Sequence, residues 1–135
     1  MKKICFVLAA VLAVACAHET VVVIPEPVSI EEGTVSFKMN GNVQISCADS
    51  SLLRTAEVFA GDMNKVMGID VPASVAGKGN ISLSLAEGLG KEEYELNVTR
   101  GGIEIKGGSP AGVFYGLQTV KQLLKDGKVP AVKIT

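Results

Sequence analysis

Histidine, cysteine and aromatic residues are scarce in this 135-residue chain, and each scarcity removes a class of chemistry. The single histidine, His18, lies ahead of the first strand signal. No Ser-His or Cys-His pair can be assembled for nucleophilic catalysis, and a zinc site lacks donors. No metal, no cofactor and no catalytic residue is expected on this ground. Aromatics make up 4% of the chain and tryptophan is absent, which disfavours a stacking platform for sugars or bases. The 13 basic residues are balanced by 14 acidic ones, for a net charge of −1. No basic stripe exists to follow a phosphate backbone, so nucleic acid is not an expected partner. Cys5, Cys16 and Cys47 are too few and too scattered for a disulfide framework.

What is present begins with a leader. Lys2-Lys3 precede an apolar run from Ile4 to Ala15. A membrane span needs about 20 residues, so the run is short for that and fits the core of a secretory signal. Residues 1–15 read as a signal peptide, 16–20 as a short linker and 21–135 as one domain. Two endings to the leader are open. Ala13-Val14-Ala15 suits an ordinary signal peptidase. Leu12-Ala13-Val14-Ala15-Cys16 resembles a bacterial lipobox with its aliphatic residue one place early, which makes Cys16 a candidate lipidation site. Export is expected, to the cell envelope as a lipoprotein or to the periplasm or exterior. Membrane contact is expected only through that lipid anchor.

A hydrophobic content of 47% can supply one real core. Val21 to Ile24 is a β-branched run that predicts a first strand, ended by Pro25-Glu26-Pro27. Glu31-Glu32-Gly33 reads as a turn. Val35, Phe37 and Met39 then alternate, and Asn40-Gly41 predicts a hairpin returning through Val43, Ile45 and Cys47. That alternation points Cys47 inward as a small buried hydrophobe. Asp49 or Ser50 can cap a helix whose apolar stripe is Leu52, Ala56, Phe59, Met63 and Val66, ended by Gly68. Residues 69–79 read as a loop with an extended piece at Val71-Pro72. Three alternating strands follow, on Ile81 to Leu85, Tyr94 to Val98 and Ile103 to Lys106, the last two as a hairpin. A second helix covers Ser109 to Leu124. Ser109 is its cap, Pro110 suits its first position, and Asp126-Gly127 close it. A last strand spans Val129 to Ile134. Each strand is apolar on one face only. The expected fold is α+β, a mostly antiparallel sheet with two helices packed on one face.

Three places in the sequence carry residues with chemical potential. Gly107-Gly108-Ser109-Pro110-Ala111-Gly112 stands between a strand and a helix, where a dinucleotide fingerprint would, but Ser109 replaces the second glycine. A tight turn into a capped helix explains it. Glu31-Glu32 and Glu92-Glu93-Tyr94-Glu95 offer carboxylates, with Glu93 and Glu95 on the solvent side of one strand, as expected of a soluble sheet face. Asn80-Ile81-Ser82 and Asn97-Val98-Thr99 match a glycosylation pattern inside predicted strands and are read as coincidence.

Two segments carry a family resemblance. Ile24-Pro25-Glu26-Pro27-Val28-Ser29-Ile30 resembles the opening of bacterial β-N-acetylhexosaminidases of glycoside hydrolase family 20. Ala111-Gly112-Val113-Phe114-Tyr115-Gly116-Leu117-Gln118-Thr119, with Gln122-Leu123-Leu124, resembles the closing helix of their N-terminal domain. Tyr94 to Thr99 and Gly102 to Ile105 resemble the family's hairpin between them, and Pro130 to Ile134 its ending. The resemblance implies a non-catalytic domain whose helices lie between its sheet and a following (β/α)8 barrel. It places catalysis in that barrel, on an adjacent Asp-Glu pair assisted by the substrate's own acetamido group. No Asp-Glu dipeptide occurs in this sequence, and the sequence stops where the family's barrel would begin. The chain is therefore expected to be inactive alone, with the barrel as its missing partner. A freestanding lipoprotein module that binds a glycan or a protein is the alternative.

One feature of the second helix bears on that partner. Leu123, Gly116, Val120, Val113, Leu124, Leu117 and Phe114 span roughly half its circumference. That is wider than one sheet requires. Either the flanks at Phe114 and Leu123 serve a second surface, or the helix sinks deep into its own core.

Overall fold

The computed structural model describes residues 20–23 and 27–135. Seven strands form one sheet: β1 (Ile30–Lys38), β2 (Ile45–Cys47), β3 (Ala73–Val75), β4 (Ile81–Leu85), β5 (Tyr94–Val98), β6 (Ile103–Gly107) and β7 (Lys128–Ile134). Two helices, α1 (Leu53–Met67) and α2 (Pro110–Leu123), share one core with it. The order across the sheet is β1-β7-β5-β6-β4-β2-β3. The expected α+β class holds. Antiparallel pairing joins β1, β7, β5 and β6, and includes the two longest strands. Parallel pairing joins β6, β4, β2 and β3. One-sided apolar alternation reports that one face is solvated; it says nothing about neighbour direction.

Several local expectations are corrected. The Asn40-Gly41 turn does not make a hairpin. β1 pairs with β7 at one edge, while β2 lies near the other, between β4 and β3. Asn40 Oδ1 accepts the Asn42 N–H at 2.9 Å, and the Val43 N–H reaches Asn40 O, so the turn closes on itself and redirects the chain. The N–H of Met39 goes instead to Gly127 O. Glu31-Glu32-Gly33 does not turn; it lies within β1, next to a register shift between Glu32 and Ser36. A side chain at Gly33 would meet the Ala131 methyl at 2.8 Å, so the glycine permits close approach of the two strands. Thr20 to Val23 are not a strand, although Val23 is buried. Ile24, Pro25 and Glu26 lie outside the described residues. The extended piece expected at Val71-Pro72 is realised two residues later, as edge strand β3.

The helices start and stop for the expected local reasons. Asp49 Oδ1 accepts the Ser51 N–H at 2.8 Å and opens a short 3-10 turn, Ser50–Leu52, which feeds α1. Gly68, at φ 67°, ends α1 in the left-handed conformation glycine tolerates best. Leu52, Ala56, Phe59 and Met63 are buried beneath it, but Val66 is 71% exposed and drops out of the expected stripe. Ser109 Oγ accepts the Ala111 N–H at 3.1 Å and caps α2, with Pro110 at its first position. Leu124 is already extended, and the turn at Asp126 and Gly127 (φ 51° and 71°) sends the chain into β7. Ile45, Cys47, Ile81, Leu83, Leu96, Val98, Ile103 and Ile105 form the sheet's half of the core.

Candidate functional site

The glycines before and within α2 were the strongest local motif, and the structure gives them a packing role. A side chain at Gly108 would strike the carbonyl oxygens of Leu89 and Gly90, and one at Gly112 the carbonyl of Glu93. At Gly116 it would meet Ile105 Cγ2 at 2.6 Å and the Tyr94 ring at 3.2 Å. The Gly108 N–H is bonded to Glu93 O at 3.0 Å, and the Ser109 hydroxyl donates to Lys91 O. A phosphate cradle needs converging N–H donors. Carbonyls crowd this turn instead. It seats α2 against β6 and the 88–93 loop, as the capped-turn reading expects.

The helix is held further by polar contacts. Tyr94 OH lies 2.6 Å from Thr119 Oγ1, and the buried Thr119 hydroxyl donates to Tyr115 O at 3.2 Å. The tyrosine is thus the donor of the shorter bond. Asp62 of α1 and Lys121 of α2 form a half-buried ion pair at 2.6 Å. The hydrogen bond from Lys121 holds the Asp62 carboxyl below the usual aspartate range, with help from the Lys121 and Lys65 charges.

The outer side of the helices carries the most suggestive apolar feature. Phe114 is 38% exposed and Tyr115 42%, with ring centroids 5.8 Å apart in an edge-to-face arrangement. Phe114, Gln118 and Lys121 follow i, i+4, i+7 spacing, and Val58, Asp62 and Lys65 do the same on α1. Because Lys121 meets Asp62, Phe114 and the exposed Val58 flank one inter-helix seam. Of the two flanks singled out in the sequence, Leu123 goes into the core and Phe114 stays outside. Tyr115 was missed. Its position one residue before a glycine that packs on the sheet was the available signal.

The other sequence candidates stay apart. Glu32 Oε1 accepts the Val21 N–H at 2.8 Å, and Glu93 Oε2 accepts the Gly90 N–H at 2.7 Å, so both hold local backbone. Glu95 stands opposite Lys106 and Glu31 opposite Lys133 in the sheet register. Glu104 and Lys106 pair at 2.9 Å in the open. Cys47 is a free, buried thiol, and burial pushes its pKa up, with the Glu57 charge as a smaller cause. Among the described residues, no group of three His, Cys, Asp or Glu side chains could hold a metal ion, and no helix is long and apolar enough to cross a membrane. Cys16 and the leader, residues 1–15, lie outside the described residues.

A sheet with two helices on one face, a carbonyl-crowded turn and an apolar outer seam describe a scaffold domain. Residues 20–135 match the domain family described as glycosyl hydrolase family 20, domain 2. The chain belongs to that family. It is 33% identical over 106 residues to a lacto-N-biosidase of Bifidobacterium bifidum, which covers 73% of this chain and 9% of that protein. A β-hexosaminidase of Porphyromonas gingivalis is 29% identical over 107 residues, covering 76% of this chain and 14% of that protein. Among solved structures, the N-acetyl-β-hexosaminidase of Streptomyces plicatus superposes with a TM-score of 0.76 at 30% identity, over 83% of this chain and 25% of that one. The exo-β-N-acetylglucosaminidase of Vibrio harveyi shares the fold, with a TM-score of 0.73 at 22% identity over 83% of this chain and 18% of that one. This chain therefore spans a quarter or less of the length of each of these relatives.

Proposed function

We propose that this chain is the accessory domain of a β-N-acetylhexosaminidase-type glycosidase, and that it carries a catalytic barrel on its helical side without performing hydrolysis itself. The observation that supports this best is exposed Phe114, on the side of α2 that faces α1 and exposed Val58, with exposed Tyr115 edge-to-face against it farther round α2. Aromatic residues in such positions are common anchors of protein interfaces. The parent enzyme removes terminal N-acetylhexosamine residues from glycans, the activity carried in the names of its relatives. The leader directs export, ending before Cys16, with either acylation of that cysteine or simple cleavage. Mass spectrometry of the mature N-terminus separates the two.

Two measurements test the reading. The purified 135-residue chain should not turn over a chromogenic N-acetylglucosaminide above a mock preparation; turnover would overturn the assignment of chemistry to the barrel. The catalytic barrel of the Streptomyces plicatus relative, freed of its own N-terminal domain, should associate with this chain in trans. Phe114→Asp should weaken that association at least tenfold, about 1.4 kcal/mol. Equal association of the two chains would remove the seam from the interface.

A further inference from the structure

A second feature lies at the end of the sheet where β2, β4 and β6 begin. β5 pairs only with Val132 to Ile134 of β7, so within the sheet Lys128 to Pro130 run on beside β1, opposite Ser36, Phe37 and Lys38, with Lys128 also bridged to Lys125 at the preceding turn. This projecting ribbon, the Arg100-Gly101 turn, the turn at Asn40 to Val43 and Asn80 enclose a cleft of about 710 Å³. That is within the range of about 300–1,000 Å³ usual for small-molecule sites. Lys38, Arg100 and Lys128 are among the residues that line it, and no acidic residue is. None of the three cations makes an ion pair or side-chain hydrogen bond with another described residue.

Two further observations point to a ligand. Lys38 and Lys128 stand directly opposite each other in antiparallel register. Like charges so placed repel and weaken the strand pair. The chain has more acidic than basic residues, yet none supplies the counter-charge in the cleft. The second observation concerns the asparagines. Asn40 Oδ1 accepts the Asn42 N–H and Asn80 Oδ1 accepts the Gln44 N–H, both at 2.9 Å. These bonds use the acceptor end of each carboxamide and leave the NH2 ends as donors. The lining thus combines three cations with two oriented amide donors. Such a set suits a ligand made of acceptors, with a carboxylate among the cations and hydroxyl oxygens against the amides.

We infer that this cleft binds an acidic saccharide through its carboxylate. The anion follows from the cleft alone; the sugar as its carrier rests on the family reading above. The cleft is separate from the Phe114 seam, so one chain can dock a barrel and hold a glycan at once.

Calorimetric titration of the full chain at low salt tests this, with tetragalacturonate, its neutral methyl ester and inorganic phosphate as probes. Low salt matters because exposed charges are screened within about 10 Å at 0.1 M. Tetragalacturonate should bind at least tenfold more tightly than the methyl ester. Arg100→Ala and Lys128→Ala should each lose about tenfold, the scale of one charge-assisted hydrogen bond. Both residues are exposed, and Lys128→Ala also removes a repulsion, so its thermal midpoint should be no lower than that of the wild type. Absence of binding, equal affinity for the ester, or unchanged affinity in both variants would overturn the site. Phosphate binding as tightly as tetragalacturonate would overturn the saccharide as its ligand. No barrel takes part in the measurement, so failure here and failure of the docking reading are told apart.

Discussion

Gly112→Ala and Gly61→Ala make the same chemical change in two helices, and the structure predicts opposite signs. In a helix interior the change from glycine to alanine is worth about 1 kcal/mol of stability. Gly61 lies on the exposed side of α1, and a methyl there meets nothing within 4 Å. Gly61→Ala should therefore gain close to the full helix term. Gly112 sits under the first turn of α2, and its methyl would strike the Glu93 carbonyl while lying 3.4 Å from Gly107 Cα. Both neighbours are backbone and cannot swing aside, so α2 must lift from the 88–93 loop. Overpacking of this kind costs about 1–3 kcal/mol, and rigid neighbours put it at the upper end. Against the helix term, Gly112→Ala should lose about 2 kcal/mol. For a domain of this size that is a fall of about 8 °C in thermal midpoint, against a rise of about 4 °C for Gly61→Ala. Urea unfolding should show the same order in midpoint with an unchanged slope. Equal or greater stability of Gly112→Ala relative to Gly61→Ala would refute the claim that these glycines exist for close packing.

Three other outcomes follow from named contacts. Thr119→Val should cost about 1–2 kcal/mol because it strands the Tyr94 hydroxyl, while the double variant with Tyr94→Phe should recover most of the loss; a double variant that simply adds the two costs would show that no coupling exists. The Asp62 carboxyl has a lowered folded pKa, so its stabilising share is full above the unfolded aspartate value of about 4 and is lost as pH falls through the folded value. Asp62→Asn should accordingly flatten the fall in urea midpoint below about pH 4, and identical acid profiles would dismiss the pair as a contributor. Cys47 should resist a thiol-specific reagent at pH 8 until urea unfolds the chain, since it is buried and its thiol is held protonated; rapid labelling of the folded chain would contradict its burial.

Most of the elements, the strand face that goes inward, the signals that start and stop both helices and the family were legible in the sequence. These rest on neighbours within a few residues: Ser109 reaches Ala111, Asp49 reaches Ser51, and Gly68 alone can turn easily at the end of α1. Pairing between distant segments was not legible in the same way. Asn40-Gly41 has hairpin chemistry, but β1 finds β7 and not β2, because strand partners are chosen by the packing of the whole sheet. Which wide flank of α2 is covered depends on how the helix packs against the sheet and α1. Leu123 turns toward the core, whereas Phe114 stays outside on the side of α2 that faces α1. It also changed the meaning of the glycines, whose missing side chains make room for the carbonyls of Leu89, Gly90 and Glu93. The cleft belongs wholly to tertiary structure. Lys38, Arg100 and Lys128 are unremarkable in sequence and meet only because the outer ribbon outruns the inner strand and faces a turn from another hairpin. Local interactions set each element's type and ends, but the electrostatics of a site come from segments that only the folded sheet brings side by side.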